Sequence, residues 1–397
     1  MSEKPNAILI RNARVHAPFA LETAGWVLIE GRRISRTGGG HPPIFSPGII
    51  DLNLDASGFD LLPGMIDIHA HGAVGCETMD AYPAGLAKMA HFFAAHGVTS
   101  FLAATWAAPH EQILAALDTI NLVAGTIPEG ATLLGAYLEG PYLNSKRAGA
   151  QPKGAIRKPN TKEFKEYLDR DIIRIAVCAP EIAGMDIFIR ECKERSITVS
   201  AGHCQPTFEE MKLAVEKGVR LITHMFNGMA PFDQRNPGVV GAAFLLPELS
   251  CELIADRIHV NPTAMELLYK MKRTNRIILV TDSVRPNGME EGEYSLGDKK
   301  VIYKNNEIRL PNGTLAGSSL TMEIGLRNFI QDTKTSLADV WQCSSINAAR
   351  MIGVSDTKGS IEAGKDADLI LLDEDFNVRM TMIGGRIIFS MNLPGIE

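Results

Sequence analysis

Eight short apolar runs alternate with longer segments of helical periodicity between residues 65 and 282. The runs are rich in Val, Ile and Leu, as expected for parallel strands that are buried on both faces. Strands that alternate with helices are typical of parallel βα units, and eight such units close a barrel. The sequence therefore predicts an α/β fold, a (β/α)8 TIM barrel. The predicted strands are residues 65–71, 98–105, 133–139, 172–178, 197–203, 220–224, 251–256 and 277–282.

Strand-like segments flank the predicted barrel on both sides. Residues 7–60 contain short apolar runs separated by turns, and residues 359–390 return to the same pattern. The simplest arrangement is a small β-sandwich domain formed by both termini. We therefore expect residues 1–61 plus 359–397 to form this β domain and residues 62–358 to form the barrel.

Charge and composition exclude several classes of protein. The 397 residues include 40 Lys and Arg against 46 Asp and Glu, without a run of like charges, so we expect no nucleic acid as a partner. No stretch approaches the ~20 apolar residues of a membrane span, and residues 1–16 lack the apolar segment of a signal peptide. The six cysteines include no C-x-x-C pair, which favours reduced thiols. These features predict a cytoplasmic protein whose partner is a small molecule or a second copy of the chain.

The predicted strands end in residues that bind metals. In a parallel barrel the carboxyl ends of the strands meet at one mouth, where active sites form. Imidazole and carboxylate groups suit zinc, iron or a similar divalent ion, and a His-x-His pair on a strand places both rings on one face. We therefore expect a divalent metal, one or two ions per subunit, with Zn or Fe as the best candidates. The candidate ligands are His69, His71, Glu139, His203, His224 and Asp282.

Two of these carboxylates have more than one possible role. The fourth run ends in Cys178, where a lysine would be needed for a carbamate bridge between two metals. Glu139 is therefore the best candidate for an anionic ligand that bridges them. Asp282 can ligate a metal, transfer a proton or cap the loop that follows it.

A set of short motifs extends almost from end to end of the chain. Together they resemble the amidohydrolase superfamily and, within it, the deacetylases of amino-sugar phosphates. The motifs are Pro63-Gly64-Met65-Ile66-Asp67, His69-Ala70-His71, His96-Gly97-Val98-Thr99-Ser100, Leu138-Glu139-Gly140-Pro141, Ala179-Pro180-Glu181, Ala201-Gly202-His203, His224-Met225-Phe226-Asn227-Gly228-Met229, Ile254-Ala255-Asp256, Thr281-Asp282-Ser283, Gly313-Thr314-Leu315-Ala316-Gly317-Ser318 and Gly364-Lys365-Asp366-Ala367-Asp368-Leu369.

The resemblance implies a metal-dependent hydrolase, usually a homodimer, that converts N-acetyl-D-glucosamine 6-phosphate to D-glucosamine 6-phosphate and acetate in amino-sugar catabolism. It implies that Glu139, His203 and His224 hold the main metal and that Asp282 is the catalytic acid and base. Some relatives have Gln-x-Asn at the His-x-His position and apparently one metal. Because this chain has both His69 and His71, we expect a second ion.

The resemblance also implies a set of substrate-binding residues. Those expected to contact the sugar phosphate are Asn227, the main chain of Gly228, His259 and, from the neighbouring subunit, Arg235. Those expected to close over the sugar are Leu315, Ala316 and Gly317. Many relatives have a histidine that polarises the acetyl carbonyl. Near the position of that histidine, this chain has Ala150 and Gln151.

Two departures from the family pattern bear on these roles. Gln151 can donate a hydrogen bond to the acetyl carbonyl but cannot titrate as histidine does. Gly228 replaces a common alanine, and a contact made by the main chain is expected to survive that difference.

Other functions remain open at this point. The chain can be a deacetylase of N-acetylgalactosamine 6-phosphate or another amidohydrolase, such as a cyclic amide or dipeptide hydrolase. A non-catalytic sugar-phosphate sensor is the alternative from a different class. Every expected ligand and the acid/base residue are present, which favours an enzyme.

Overall fold

The computed structural model describes residues 7–18 and 21–393. Strands and helices are numbered in chain order. The first strands belong to a mixed sheet in which β1 pairs antiparallel with β2 and parallel with both β4 and β5. They are β1 (Ala7–His16), β2 (Leu21–Glu30), β3 (Arg33–Gly39), β4 (Leu52–Asp55) and β5 (Asp60–Pro63).

Eight parallel strands follow and form the barrel. They lie in chain order around the sheet, and a small hairpin of β7 (Gly72–Ala73) and β8 (Cys76–Glu77) follows the first of them. The barrel strands are β6 (Met65–Ala70), β9 (Val98–Ala104), β10 (Thr132–Glu139), β11 (Ile173–Cys178), β12 (Thr198–Ala201), β13 (Val219–Ile222), β14 (Ser250–Leu253) and β15 (Ile277–Leu279).

The barrel closes at its carboxyl end, between the first strand and the segment after the last. The Asp282 amide donates to the His69 carbonyl over 2.9 Å, and the His71 amide donates to the Ser283 carbonyl over 2.8 Å. The predicted barrel is thereby confirmed, with every residue of β6 buried as a core strand requires.

Helices cover the barrel. Helix α5 begins with a capping box between Thr207 and Glu210, and α7 begins with Asn261 as N-cap and Pro262 in its first turn. Among the described residues, no helix has the length and apolar character needed to cross a membrane. The helices are α1 (Pro83–Ala95), α2 (His110–Val123), α3 (Thr161–Leu168), α4 (Met185–Glu194), α5 (Phe208–Lys217), α6 (Gly238–Leu245), α7 (Pro262–Lys272), α8 (Met322–Thr333), α9 (Leu337–Val340) and α10 (Ile346–Met351).

The polar insert after the barrel forms an antiparallel sheet of its own. Asn305 and Asn306 have φ of 52° and 61°, as the two-residue turn of the predicted hairpin requires. The strands of the insert are β16 (Gly292–Leu296), β17 (Lys299–Lys304), β18 (Glu307–Arg309) and β19 (Leu315–Ser318).

The last strands return to the first sheet. They are β20 (Leu369–Leu372), β21 (Val378–Ile383) and β22 (Arg386–Ser390), and β20 pairs antiparallel with β5. Side chains from Ile34 on β3 to Met380 on β21 share one buried cluster, so the sheet encloses a core of its own, as expected for the small β unit. The division into residues 1–61 plus 359–397 and 62–358 stays a prediction, and residues 1–6, 19–20 and 394–397 lie outside the described part.

Candidate metal centre and active site

The predicted ligands lie together at the carboxyl end of the barrel. His69 is in β6, His71 follows that strand, and Glu139 is the last residue of β10. His203 and His224 come just after β12 and β13. All these side chains are buried, so the barrel brings them together away from solvent.

Three of the site residues have a left-handed backbone. The φ angles of His203, His224 and Asp282 are 46°, 29° and 50°. A strand cannot continue through such a conformation, and for this reason β12, β13 and β15 end two or three residues before the predicted boundaries. Left-handed non-glycine residues are uncommon and cluster at functional sites.

One group of donors surrounds the first oxygen of Glu139. Glu139 Oε1 lies 3.1 Å from His203 Nε2 and 3.1 Å from His224 Nε2. The two imidazole nitrogens are 3.2 Å apart. These atoms are close enough together to hold one metal ion.

A second group lies beside the same carboxylate, with His69 Nε2 at 3.8 Å from Oε1. Glu139 Oε2 lies 3.3 Å from His71 Nε2, and the Nε2 atoms of His69 and His71 are 3.2 Å apart. Asp282 Oδ1 completes this side at 3.4 Å from His71 Nε2 and 3.7 Å from His69 Nε2. Glu139 is thus shared between the two groups, in the position of a bridge.

The histidine tautomers fit a bound cation. His203 Nδ1 lies 2.8 Å from the Arg147 carbonyl and His224 Nδ1 lies 3.1 Å from the Asn227 carbonyl. Because a carbonyl oxygen only accepts, each Nδ1 carries a proton, and Nε2 of each ring faces Glu139. Imidazole nitrogens and a carboxylate that converge on one point require protons or a metal ion between them.

Without a metal, protons fill this need. Burial alone would raise the pKa of the Glu139 carboxyl, but His203, His224 and His71 hold it well below its usual range. Burial disfavours the charged form of His71, yet Asp282 and Glu139 raise its pKa to about 10. A divalent ion therefore competes with protons here, and its binding releases them.

A cavity of about 310 Å³ opens above these groups. Most of the predicted substrate residues line it, and Ala316 is fully buried between Leu315 and Gly317, which do line it. The lining residues predicted from the sequence are Ala150, Gln151, Asn227, Gly228, His259, Leu315 and Gly317. Their contacts with a substrate stay predictions.

The Gln151 side chain is already held by the protein. Its Oε1 accepts from the Ala107 amide over 2.8 Å, so its Nε2 faces Glu139 and donates to Oε2 over 2.6 Å. The predicted donor to the acetyl carbonyl thus donates to Glu139 in this structure.

His259 and Arg235 differ in their position. His259 Nδ1 donates to Asp256 Oδ2 over 2.7 Å, which directs its other nitrogen away from that carboxylate, and His259 lines the cavity. Arg235 is exposed on the loop before α6 and is not part of the lining formed by the described residues of its own chain. This position is compatible with the predicted reach into a neighbouring subunit.

Comparison with known proteins identifies the family. The amidohydrolase family profile matches residues 61–388. The chain belongs to the amidohydrolase family. It is 40% identical over 336 residues to N-acetylglucosamine-6-phosphate deacetylase of Bacillus subtilis (strain 168), which covers 83% of this chain and 84% of the relative.

Two further comparisons show which members of the amidohydrolase family this chain is similar to. N-acetylgalactosamine-6-phosphate deacetylase of Escherichia coli O157:H7 is 35% identical, over 82% of this chain and 87% of the relative. The structure also resembles that of a mutant N-acetyl-D-glucosamine-6-phosphate deacetylase of Mycobacterium smegmatis, which was solved in complex with N-acetyl-D-glucosamine-6-phosphate. The TM-score is 0.90 and the sequence identity 27%, and the match covers 97% of this chain and 100% of that one. The chain is a member of the N-acetylglucosamine-6-phosphate deacetylase group of this family.

Sequence reasoning missed several residues of this amidohydrolase site. Lys299 and Arg309 of the insert and Trp106 after β9 line the cavity. Beneath the metal groups, the Tyr137 ring stacks on His69 at 4.1 Å between centroids, and Glu252 hydrogen-bonds the same ring. Glu252 had a usable signal, since it is a carboxylate among the apolar residues 251–255 of a predicted strand.

Proposed function

We propose that this chain hydrolyses the acetamide of N-acetyl-D-glucosamine 6-phosphate to D-glucosamine 6-phosphate and acetate. The observation that carries the proposal is Glu139, shared by two histidine pairs at the floor of a cavity with cationic residues in its wall. A cavity of about 310 Å³ is in the range of small-molecule sites. The relatives named above act on N-acetylated amino-sugar phosphates.

Two metal ions per subunit fit the donor set. His203, His224 and Glu139 would hold one ion, and His69, His71 and Glu139 would hold the other, with Zn or Fe suited to imidazole and carboxylate ligands. A divalent ion supplies a nucleophile by lowering the pKa of bound water to about 7 and polarises the carbonyl.

Asp282 is the proposed catalytic acid and base. Burial alone would raise the pKa of its carboxyl, but His71, His69 and His224 keep it below the usual range, so Asp282 is ionised and can accept the proton of the attacking water. The same proton then goes to the departing sugar nitrogen, since an amine anion is a very poor leaving group.

The phosphate is the proposed basis of substrate recognition. Asn227, the Gly228 main chain and His259 line one part of the cavity. We propose that the enzyme is a homodimer in which Arg235 of a second copy adds a guanidinium, whose planar fork binds two phosphate oxygens at once. The cytoplasmic location also remains a prediction from the sequence.

The test is acetate release by purified protein from N-acetylglucosamine 6-phosphate. Metal-loaded protein should release acetate, and chelator-treated protein should not. The same sugar without phosphate should react poorly, because the phosphate contacts are lost. No release by metal-loaded protein would contradict the proposal, and tight binding without release would favour a sugar-phosphate sensor.

The galacto epimer is the second candidate substrate. It rests on the 35% identity to the Escherichia coli N-acetylgalactosamine-6-phosphate deacetylase. Measuring kcat/KM for both epimers under one condition decides between them. A higher value for N-acetylgalactosamine 6-phosphate would replace the gluco substrate and leave the reaction unchanged.

A further inference from the structure

Glu252 is a buried carboxylate directly beneath the metal groups. It lies on β14 with a fully buried side chain, between Cys251 and Leu253, which are also fully buried. An ionised group in such surroundings is costly unless it is hydrogen-bonded. Its contacts therefore indicate what it does.

One oxygen of Glu252 joins the two metal groups. Glu252 Oε2 accepts from His69 Nδ1 over 2.9 Å and from the His224 amide over 3.0 Å. His69 belongs to the group with His71, and His224 belongs to the group with His203. A single carboxylate oxygen thus contacts a residue of each group.

The bond to His69 fixes the state of that ring. A carboxylate that accepts from Nδ1 holds the proton there and leaves the Nε2 lone pair free for a metal. Stacking of Tyr137 on the same ring, at 4.1 Å between centroids, fixes its plane. His203 and His224 instead use backbone carbonyls as Nδ1 partners.

The difference in partner matters for the ion. A carboxylate carries a full negative charge, which raises the basicity of the imidazole more than a neutral carbonyl does. Within its own group His69 alone has such support, because among the described residues the buried Nδ1 of His71 has no hydrogen-bond partner.

We propose that Glu252 is a positioning residue that gives this chain its second metal ion, by orienting His69 and increasing its basicity. The inference rests on the proposed metal site. Glu252 is not among the described residues that line the cavity, so it is placed behind the metal-binding histidines and not beside the substrate. It acts through His69. Its hydrogen bond with the His224 amide holds the two groups of metal-binding residues at a fixed distance from each other.

The test is a metal titration of Glu252→Gln against a matched control. Glutamine keeps the shape and an acceptor oxygen but removes the charge. Glu323→Gln is the control, because Glu323 is also buried and its Oε1 contacts a histidine Nδ1, that of His96, over 2.7 Å, outside the metal groups. Metal-free protein is titrated with Zn²⁺ in competition with a chromogenic chelator, and acetate release is measured separately.

We expect wild type to bind two equivalents of Zn²⁺. Glu323→Gln should also bind two, each with the affinity that wild type shows for the same ion. Glu252→Gln should retain one tight equivalent and bind the second about 10- to 100-fold more weakly. If Glu252→Gln does not fold, Glu252→Asp, which keeps the charge but shortens the reach, should show the same selective loss.

Three results would overturn the inference. The first is a Glu252→Gln protein whose affinities for both ions are within about threefold of those of wild type. The second is an equal loss of Zn²⁺ affinity in Glu252→Gln and Glu323→Gln. The third is a wild type that binds a single ion. The proposed function fails separately. Two Zn²⁺ ions with a selective loss in Glu252→Gln, but no acetate release by wild type, would refute the deacetylase and leave the role of Glu252 standing.

Discussion

At the scale of single residues, the site combines strained backbone with histidine and carboxylate side chains that converge on one another. His203, His224 and Asp282 all have positive φ, a conformation that costs on the order of 1–3 kcal/mol for each non-glycine residue. Hydrogen bonds around them hold this geometry, among them the bond from the Ser318 amide to the Asp282 carbonyl at 2.8 Å. These hydrogen bonds therefore help to keep the metal-ligating side chains together.

Replacement of Gly228 by alanine is expected to disturb the site. The main-chain contact alone suggests that glycine and alanine are equivalent at this position. Its φ is 60°, and a Cβ built on it would lie 2.8 Å from His203 Nδ1. Gly228→Ala should push the His203 ring and weaken its bond to Arg147. We expect at least about a tenfold loss of metal affinity, measured by chelator competition. Gly154→Ala, where a Cβ meets no atom within 4 Å, is the control, and equal affinities in the two variants would contradict the prediction.

Asp282→Asn should separate catalysis from metal binding. Asparagine keeps the size of the side chain but cannot carry the proton from water to the sugar nitrogen. We expect kcat to fall by about 10²- to 10⁴-fold, with the metal content unchanged. Rates are measured by acetate release and metal by elemental analysis. Activity near that of wild type would remove the acid/base role, and loss of metal would make Asp282 a ligand.

At the scale of elements, the insert holds the active-site loop. Lys299 of β17 donates from Nζ to the carbonyls of Ala150 and Gln151, over 2.7 and 3.1 Å. Gln151 in turn donates to Glu139. A strand outside the barrel is thereby connected to the bridging carboxylate.

Lys299→Met should loosen this loop. Removing a charged donor from two carbonyls costs about 1.5–3 kcal/mol, so we expect amides of residues 148–151 to exchange at least about tenfold faster. Hydrogen exchange followed by mass spectrometry measures the effect. Lys300→Met is the control, because Lys300 lies next on the strand and pairs with exposed Glu293. Similar exchange in both variants would show that the contact contributes nothing.

The elements also show what the sequence can and cannot predict. The barrel and the ligands follow from apolar runs and from the residues that end them. Helix α6 does not follow from the sequence in this way, because six of its eight residues are buried and it has no polar face to create a periodicity. Lys299 and Arg309 gave no signal, since the path of the insert across the cavity depends on the pairing of its own sheet. Which oxygen of Glu139 serves which histidine pair likewise requires the fold.

At the scale of the whole molecule, the proposed homodimer predicts complementation between inactive variants. We expect Arg235→Ala and Asp282→Asn each to disable the enzyme. In a mixed dimer, the site with intact Asp282 receives Arg235 from the other chain and works. Unfolding and refolding an equal mixture should restore about a quarter of wild-type activity. If Arg235 served its own chain, the mixture would stay inactive.

The buried Glu77 predicts part of the pH dependence of stability. Burial raises its pKa from 4.5 to about 7, although Arg285 donates to it over 2.9 Å. Between these values the unfolded chain loses the proton first, so the free energy of unfolding falls as pH rises, by about 1.4 kcal/mol for each pKa unit, and levels off above pH 7.

The measurement is urea unfolding of metal-free wild type and Glu77→Gln from pH 4.5 to 8. The difference in unfolding free energy between wild type and Glu77→Gln should fall across this window, since glutamine does not titrate. A difference that stays constant with pH would show that Glu77 is ionised throughout the window.

Closure of the barrel has a consequence for how the protein is made. The bonds that join its two ends run between His69 and Asp282 and between His71 and Ser283. A chain still being synthesised cannot bring Asp282 to the histidine pair until Ser283 has emerged from the ribosome. The proposed acid/base residue therefore reaches the histidine pair late in the life of each new molecule, and truncated chains that end before the eighth strand have the histidines without it.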